Sequence, residues 1–152
     1  AFFLIQYWLF NSRLMEKISP ELNYKKYFFF FGVGSAVFLV FHSIFLGVTF
    51  DNDLYKLFRR VLVLSFIIFE LVAQTILVIN LFKIKEQIKH LMNVKILNIK
   101  IILVSILVVT ALVSIPFLMQ SGYKHFKHAL EWNYFMGVIS FYLLTFFFWK
   151  KQ

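Results

Sequence analysis

The sequence predicts an all-α protein, a polytopic bundle of transmembrane helices. Of its 152 residues 61% are hydrophobic, 21% are aromatic and only 15% are charged, whereas charged residues make up about 25% of an ordinary soluble domain. The 22 phenylalanines are spread along the chain, so a removable signal peptide does not account for this composition. The charges lie almost entirely between long apolar runs, a pattern that indicates repeated crossing of a bilayer.

Five apolar runs predict the helices of this domain. A hydrocarbon core of about 30 Å takes about 20 apolar residues to cross as a helix, which also satisfies its own backbone hydrogen bonds. We expect one domain, residues 1–152, with helices at residues 1–11, 27–50, 61–82, 101–119 and 132–149. The first run is half a span and begins at Ala1 rather than Met. We therefore expect a truncated first helix, with residues missing before it.

The connectors between the runs are basic. The chain has 16 Lys plus Arg against 7 Asp plus Glu, and between apolar helices such an excess meets anionic lipid headgroups rather than nucleic acid. Residues 83–100 alternate lysines with apolar side chains. This pattern is typical of a helix end that continues along the headgroups.

The distribution of these cations predicts an orientation. If every run crosses, one side of the membrane collects Arg13, Lys17, Lys25, Lys26, Lys83, Lys85, Lys89, Lys95, Lys100, Lys150 and Lys151, and the other side collects Lys56, Arg59, Arg60, Lys124 and Lys127. The side with more cations is cytoplasmic by the positive-inside bias. The C-terminus is therefore expected in the cytoplasm of a multi-pass integral membrane protein.

Two ionisable residues lie deep in the apolar runs, and each costs a few kcal/mol in a bilayer unless it has a partner. His42 is expected about 12 Å from the outer end of its helix and Glu70 about 13 Å from the outer end of the next, at 1.5 Å per residue. Two residues at equal depth on consecutive antiparallel helices can form a hydrogen bond or an ion pair. Gln74 follows Glu70 by one helical turn and lies on the same face.

The same depth on the remaining helices adds further polar side chains to this predicted intramembrane cluster: Thr110, Ser114, Ser140 and Tyr142. One interpretation is a binding pocket for a lipid headgroup or a polar small molecule, or a proton-transfer step at the Glu70 carboxyl. The other is that these groups only hold the helices together by hydrogen bonds between them.

No motif predicts a metal, a cofactor or a catalytic centre. The chain has no cysteine, and the spacing of His125, His128 and Glu131 matches no common metal motif. Gly32 and Gly34 lack the third glycine and the preceding strand of a dinucleotide site, so close helix packing explains them better. No nucleophile stands beside a base, and we expect the protein not to be an enzyme.

The last helix carries a short motif, in the sequence HALEWNYFMGVISFYLLTFFFWK. A Glu-Trp pair opens it, and a Tyr and a Thr-Phe pair follow: Glu131, Trp132, Tyr142, Thr145 and Phe146. This motif resembles the final helix of the FRAG/DRAM/SFK-type membrane proteins. The Ile-Pro pair near the end of residues 101–119 and the mid-helix Gln74 are similar to features of the same family.

The resemblance implies six helices with both ends in the cytoplasm, the runs seen here matching helices two to six. It also implies work on membrane lipids without an established catalytic centre. The function expected is therefore a non-catalytic membrane protein that handles or organises lipids, with lipids as its partners. The alternatives are an accessory helical subunit that binds other membrane subunits, and a transporter component that uses Glu70.

Overall fold

The computed structural model describes residues 1–18, 25–47, 52–119 and 124–150. These ranges contain six α-helices and no β-strand, apart from one isolated antiparallel bridge between Met92 and Trp149. The helices are α1 (Phe2–Ile18), α2 (Lys25–Leu46), α3 (Asp53–Lys83), α4 (Lys85–Ile88), α5 (Val94–Met119) and α6 (Lys124–Phe146). The predicted all-α class is confirmed for the described residues.

Three of the described helices are long and apolar enough to cross a membrane: Tyr27–Leu46, Asp53–Lys83 and Val94–Ser114. These three fit an integral membrane protein. Among the described residues, the last helix, α6, is not one of these three; it ends at Phe146 and carries Glu131 and Asn133.

The helices extend beyond the apolar runs that predicted them. Both α3 and α5 begin several residues earlier than hydropathy indicated, and each starts just after an asparagine. Asn52 Oδ1 accepts a hydrogen bond from the Leu54 amide at 3.1 Å, and Asn93 Oδ1 accepts one from the Lys95 amide at 3.1 Å. An asparagine in this position caps the free amides of the first turn. The first residues of α3 and α5 are therefore set by the capping asparagines rather than by the edge of the apolar run.

The chain divides into two compact units, Ala1–Leu77 and Val78–Gln152. In the first unit, α2 approaches its neighbours closely at two glycines. A Cβ on Gly32 would lie 2.3 Å from the Trp8 ring of α1, and a Cβ on Gly34 would lie 2.7 Å from the Phe69 ring of α3. Both helices thus pack directly on the α2 backbone, as the small residues predicted.

Aromatic rings fill the space around the second of these contacts. The ring of Phe69 lies 5.1 Å from that of Phe31 and 5.0 Å from that of Phe38, both in edge-to-face geometry. Such pairs add to the stabilisation that burial of the rings provides. Because Phe69 packs between these rings and over Gly34, it sets the register of α3 along α2.

The second unit packs α5 against α6. A Cβ on Gly137 would lie 2.6 Å from the Leu107 side chain, and the Tyr134 hydroxyl donates to the Leu107 carbonyl at 3.1 Å. After α6 the chain turns and pairs with the segment that precedes α5. The Asn93 amide donates to the Phe148 carbonyl at 2.8 Å, and the Lys150 amide donates to the Leu91 carbonyl at 3.0 Å.

We expect Gly32→Ala to destabilise the first unit by about 1–3 kcal/mol, because the new methyl group would overlap a rigid, fully buried indole. Thermal unfolding in detergent measures the change. Gly47→Ala is the matched control, since a Cβ there would meet only the Ile44 carbonyl oxygen at 3.9 Å. Equal stability of the two variants would show that Trp8 does not pack on α2 at Gly32.

Candidate functional site

Glu70 is the centre of a polar cluster in the first unit, although its side chain is fully buried on α3. The Ser35 hydroxyl of α2 lies 2.6 Å from Glu70 Oε2, and Gln74 Nε2 donates to Glu70 Oε1 at 3.0 Å. Gln74 follows Glu70 by one helical turn, so both project from the same face of α3. We call Ser35, Glu70 and Gln74 the Glu70 cluster.

The hydrogens of the Glu70 cluster can be counted. Ser35 Oγ also lies 2.7 Å from the Gly32 carbonyl oxygen, but a serine hydroxyl carries only one hydrogen. If Ser35 donates that hydrogen to Gly32, the contact with Glu70 needs a hydrogen from the carboxyl itself. A protonated Glu70 therefore gives each of these contacts its own hydrogen.

The sequence predicted His42 as the partner of Glu70. His42 is half-buried on α2, two helical turns beyond Ser35, and its pairing with Glu70 stays a prediction. Sequence reasoning assigned Ser35 only to helix packing. The contact of Gly34 with Phe69 explains why Ser35 reaches Glu70, because it places the next residue of each helix side by side. Which residues of two neighbouring helices meet depends on such packing, and not only on whether they lie at equal depth in the bilayer.

The remaining polar residues of the predicted cluster lie in the second unit. Ser114 is buried, donates to the Thr110 carbonyl of its own helix and hydrogen-bonds the Tyr134 side chain of α6. Thr110, Ser140 and Tyr142 are half-buried. A serine that bonds back to its own helix and across to a neighbour holds helices together. Their membership of one cluster with Glu70 stays a prediction.

The family-like motif occupies α6. Trp132 and Phe146 are largely exposed, and the Trp132 ring packs edge-to-face on Phe135 at 6.1 Å. Glu131 is half-buried, with Oε2 3.5 Å from His128 Nδ1. The side chain of His125 lies outside the described residues. Among the described side chains, no group of three His, Cys, Asp or Glu residues is placed to hold a metal ion.

Lys100 forms a second buried polar site that sequence reasoning missed. Its side chain is 1% exposed inside α5, and Nζ donates to Thr145 Oγ1 of α6 at 2.6 Å. The same Nζ lies 4.2 Å from the ring centre of Phe141 and 5.3 Å from that of Phe148. Aromatic faces attract a cation in this geometry. We call Lys100, Phe141, Thr145 and Phe148 the Lys100 box.

A signal for this site was present in the sequence. Hydropathy placed Lys100 among the connector cations at the edge of an apolar run. However, Lys100 lies at helical spacing between residues that are buried on one face of α5, namely Leu97, Val104 and Leu107. A lysine in that series belongs to the buried face. The sequence offered no reason to expect two phenylalanine rings around it.

Asn80 is a third buried polar residue, 1% exposed on α3. Within the described part of the chain, neither amide atom of Asn80 has a hydrogen-bond partner, and the Gln74 Oε1 atom has none either. Buried amide groups normally have a hydrogen bond.

Three apolar helices of membrane-spanning length, in a described chain that is helical and buries a few polar side chains, fit the class of integral membrane proteins. Comparison of the chain with protein-family models, with curated proteins and with solved structures gave no match.

We expect Glu70→Gln to change the free energy of unfolding by less than about 1 kcal/mol, because an amide can donate to Ser35 and accept from Gln74 as a protonated carboxyl does. The matched variant Glu70→Leu removes the carboxyl oxygens that Ser35 and Gln74 contact, and should cost about 1–3 kcal/mol. Thermal unfolding in detergent compares the two. Equal losses for Gln and Leu would contradict the protonated arrangement.

We expect Thr145→Val to destabilise the protein by about 1–3 kcal/mol, because it leaves the buried Lys100 amine without its hydrogen-bond acceptor. Lys100→Met removes the amine and fills the same space, so its cost should be smaller. Chemical unfolding in detergent ranks the two variants. A larger loss for Lys100→Met would show that the amine itself stabilises the box.

Proposed function

We propose that this chain is a non-catalytic integral membrane protein that handles or organises membrane lipids. The observation that carries the proposal is the distribution of side chains on α5. One face of α5 buries Leu97, Lys100, Val104 and Leu107, while the opposite face exposes a continuous apolar stripe of Ile99, Ile102, Ile106, Val109 and Val113. We call these five residues the α5 stripe.

Buried polar side chains beneath an apolar surface favour a lipid environment. Water-soluble proteins rarely expose large continuous apolar patches. The first unit has the same arrangement on α3, where Leu57, Val61, Leu64 and Ile68 are exposed at helical spacing and Glu70 and Gln74 are buried. Acyl chains are the surroundings in which such stripes are stable, because hydrocarbon solvates them without the cost of contact with water.

The proposal also includes the topology of the helices and the orientation of the C-terminus. The described helices belong to a polytopic bundle in which α1 to α3, α5 and α6 correspond to the five apolar runs, with the C-terminus on the cytoplasmic side. The residues of α6 that resemble the FRAG/DRAM/SFK-type proteins support work on lipids. This support comes only from the short motif that begins with Glu131 and Trp132.

Two other functions have support from particular residues. An accessory subunit of a larger membrane complex is favoured by the highly exposed phenylalanines at the helix ends, Phe3 at 85% and Phe146 at 81%, since aromatic side chains are enriched at protein interfaces. A transporter component is favoured by the Glu70 cluster, where a buried carboxyl contacts a neighbouring helix through Ser35. Ionisable residues in such positions frequently serve proton relays.

The absence of cysteine from the sequence allows a direct test with single-cysteine variants. We expect a fluorophore at Ile106→Cys, on the α5 stripe, to be quenched by lipids brominated in the middle of their acyl chains. The matched control is Gln87→Cys, because Gln87 is exposed on α4, outside the candidate spans. A label at residue 106 that stays unquenched in reconstituted bilayers would contradict a lipid-facing stripe.

A second measurement separates lipid organisation from an accessory role. Spin-labelled lipids of different headgroup classes, added to the reconstituted chain, report which class the protein immobilises. A preference for one class is expected of a protein that handles lipids. Equal immobilisation of all classes, together with loss of quenching at residue 106 when the chain is purified with other subunits, would favour the accessory role.

A further inference from the structure

In the second unit, the last described residues of the chain pair with the segment before α5, and cations lie around this pairing. Residues 91–93 pair with residues 148–150 through the two backbone hydrogen bonds of Asn93 and Lys150. The C-terminal end of the described chain is thereby placed beside the turn between α4 and α5. Exposed or half-exposed cations lie at the neighbouring ends of α3, α4 and α5, in the turn after α4 and on the returning segment. We call these five residues the lysine platform: Lys83, Lys85, Lys89, Lys95 and Lys150.

A direct contact joins two members of the lysine platform. Lys150 Nζ donates to the Lys89 carbonyl oxygen at 3.2 Å, so two residues far apart in sequence meet in space. The nearby acidic residue Glu86 lies 3.9 Å from Lys89 Nζ, but both side chains are well exposed. Glu86 cancels only one of the five positive charges of the lysine platform. The lysine platform therefore keeps a positive potential that an anion would neutralise.

The base of the lysine platform is apolar and closely packed. Ile84, Ile88 and Met92 are buried under the turn, and Phe148 is buried on the paired segment. Phe148 is also one wall of the Lys100 box. Because both backbone segments are held by these side chains, the cations project from a defined surface rather than from a free tail.

The lysine platform lies where headgroups are expected. Lys83 is the last residue of the candidate span Asp53–Lys83, and Lys95 is the second residue of Val94–Ser114. Lysines at the ends of transmembrane helices lie at the level of the headgroups, and several lysines close to an anionic leaflet bind its lipids by charge. The platform thus combines positive charge, a fixed base and the depth of the lipid phosphates.

We propose that the lysine platform binds the headgroups of anionic phospholipids in the leaflet that it faces. This inference adds to the proposed function the class of headgroup that the protein prefers. It rests on the membrane location given there. The amines of Lys89 and Lys150 are its central donors. The backbone pairing of residues 91–93 with residues 148–150 holds the segments that carry them side by side.

The test uses the full chain reconstituted in vesicles of phosphatidylcholine with added spin-labelled phosphatidylglycerol. We expect the preference for phosphatidylglycerol over phosphatidylcholine to fall about fivefold in Lys150→Gln, the loss expected for one lysine near an anionic surface. Lys89→Gln with Lys150→Gln should lower it further. Lys89→Arg with Lys150→Arg should keep the preference, because both charges remain.

The matched control removes two exposed cations from the first unit, Lys56→Gln with Arg60→Gln, and lowers the net charge of the chain equally. We expect this variant to keep the preference for phosphatidylglycerol. An equal loss in the control and in the platform variant would overturn the proposal, since net charge alone would then explain lipid selection. Thermal unfolding of each variant verifies that the fold is intact.

Two further outcomes are informative. One distinguishes a lipid headgroup from free phosphate, and the other distinguishes headgroup binding from the membrane location of the chain. Displacement of the labelled lipid by inorganic phosphate at equal ionic strength would show a site for free phosphate and would overturn lipid binding. Quenching at Ile106→Cys by brominated lipid, with an unchanged preference in the Lys89 and Lys150 variants, would reject the platform while the membrane location stands.

Discussion

Contact between helices at residues without bulky side chains is the constraint on which the first unit depends. Gly34 allows the ring of Phe69 to lie against the α2 backbone, and the next residue on each helix then forms the contact between Ser35 and Glu70. The packing and the polar contact are thus parts of one interface. A larger residue at position 34 would separate the helices and leave a buried carboxyl without its serine, at a cost far above that of packing alone.

The second unit also buries an ionisable side chain between two helices, and different partners stabilise it. Lys100 is buried in α5, where two phenylalanine rings face its amine and Thr145 accepts its hydrogen bond. These partners all belong to α6 or to the turn that follows it. The amine therefore links the two helices at the end where the chain returns to pair with residues 91–93. Stability of the helix pair and placement of the lysine platform have a common origin.

Much of this arrangement was accessible from the amino-acid pattern. Long apolar runs predicted a helical membrane-type chain, and the isolated Glu70 with Gln74 one turn later predicted a buried polar face on α3. Helical spacing from Leu97 to Leu107 contained the information that Lys100 is buried, but a boundary based on hydropathy assigned it to a connector. Asn80 was overlooked because a single amide changes the hydropathy of a long apolar helix very little.

The sequence by itself determined the helical class, the membrane-length segments and the burial of Glu70, because each depends on the local order of apolar and polar residues. Only the tertiary structure decided that Glu70 meets Ser35, that Lys100 lies between Phe141 and Phe148, and that Lys150 meets Lys89. These pairs join residues distant in the chain, and their register depends on how side chains fill the space between helices. A one-dimensional pattern does not contain that geometry.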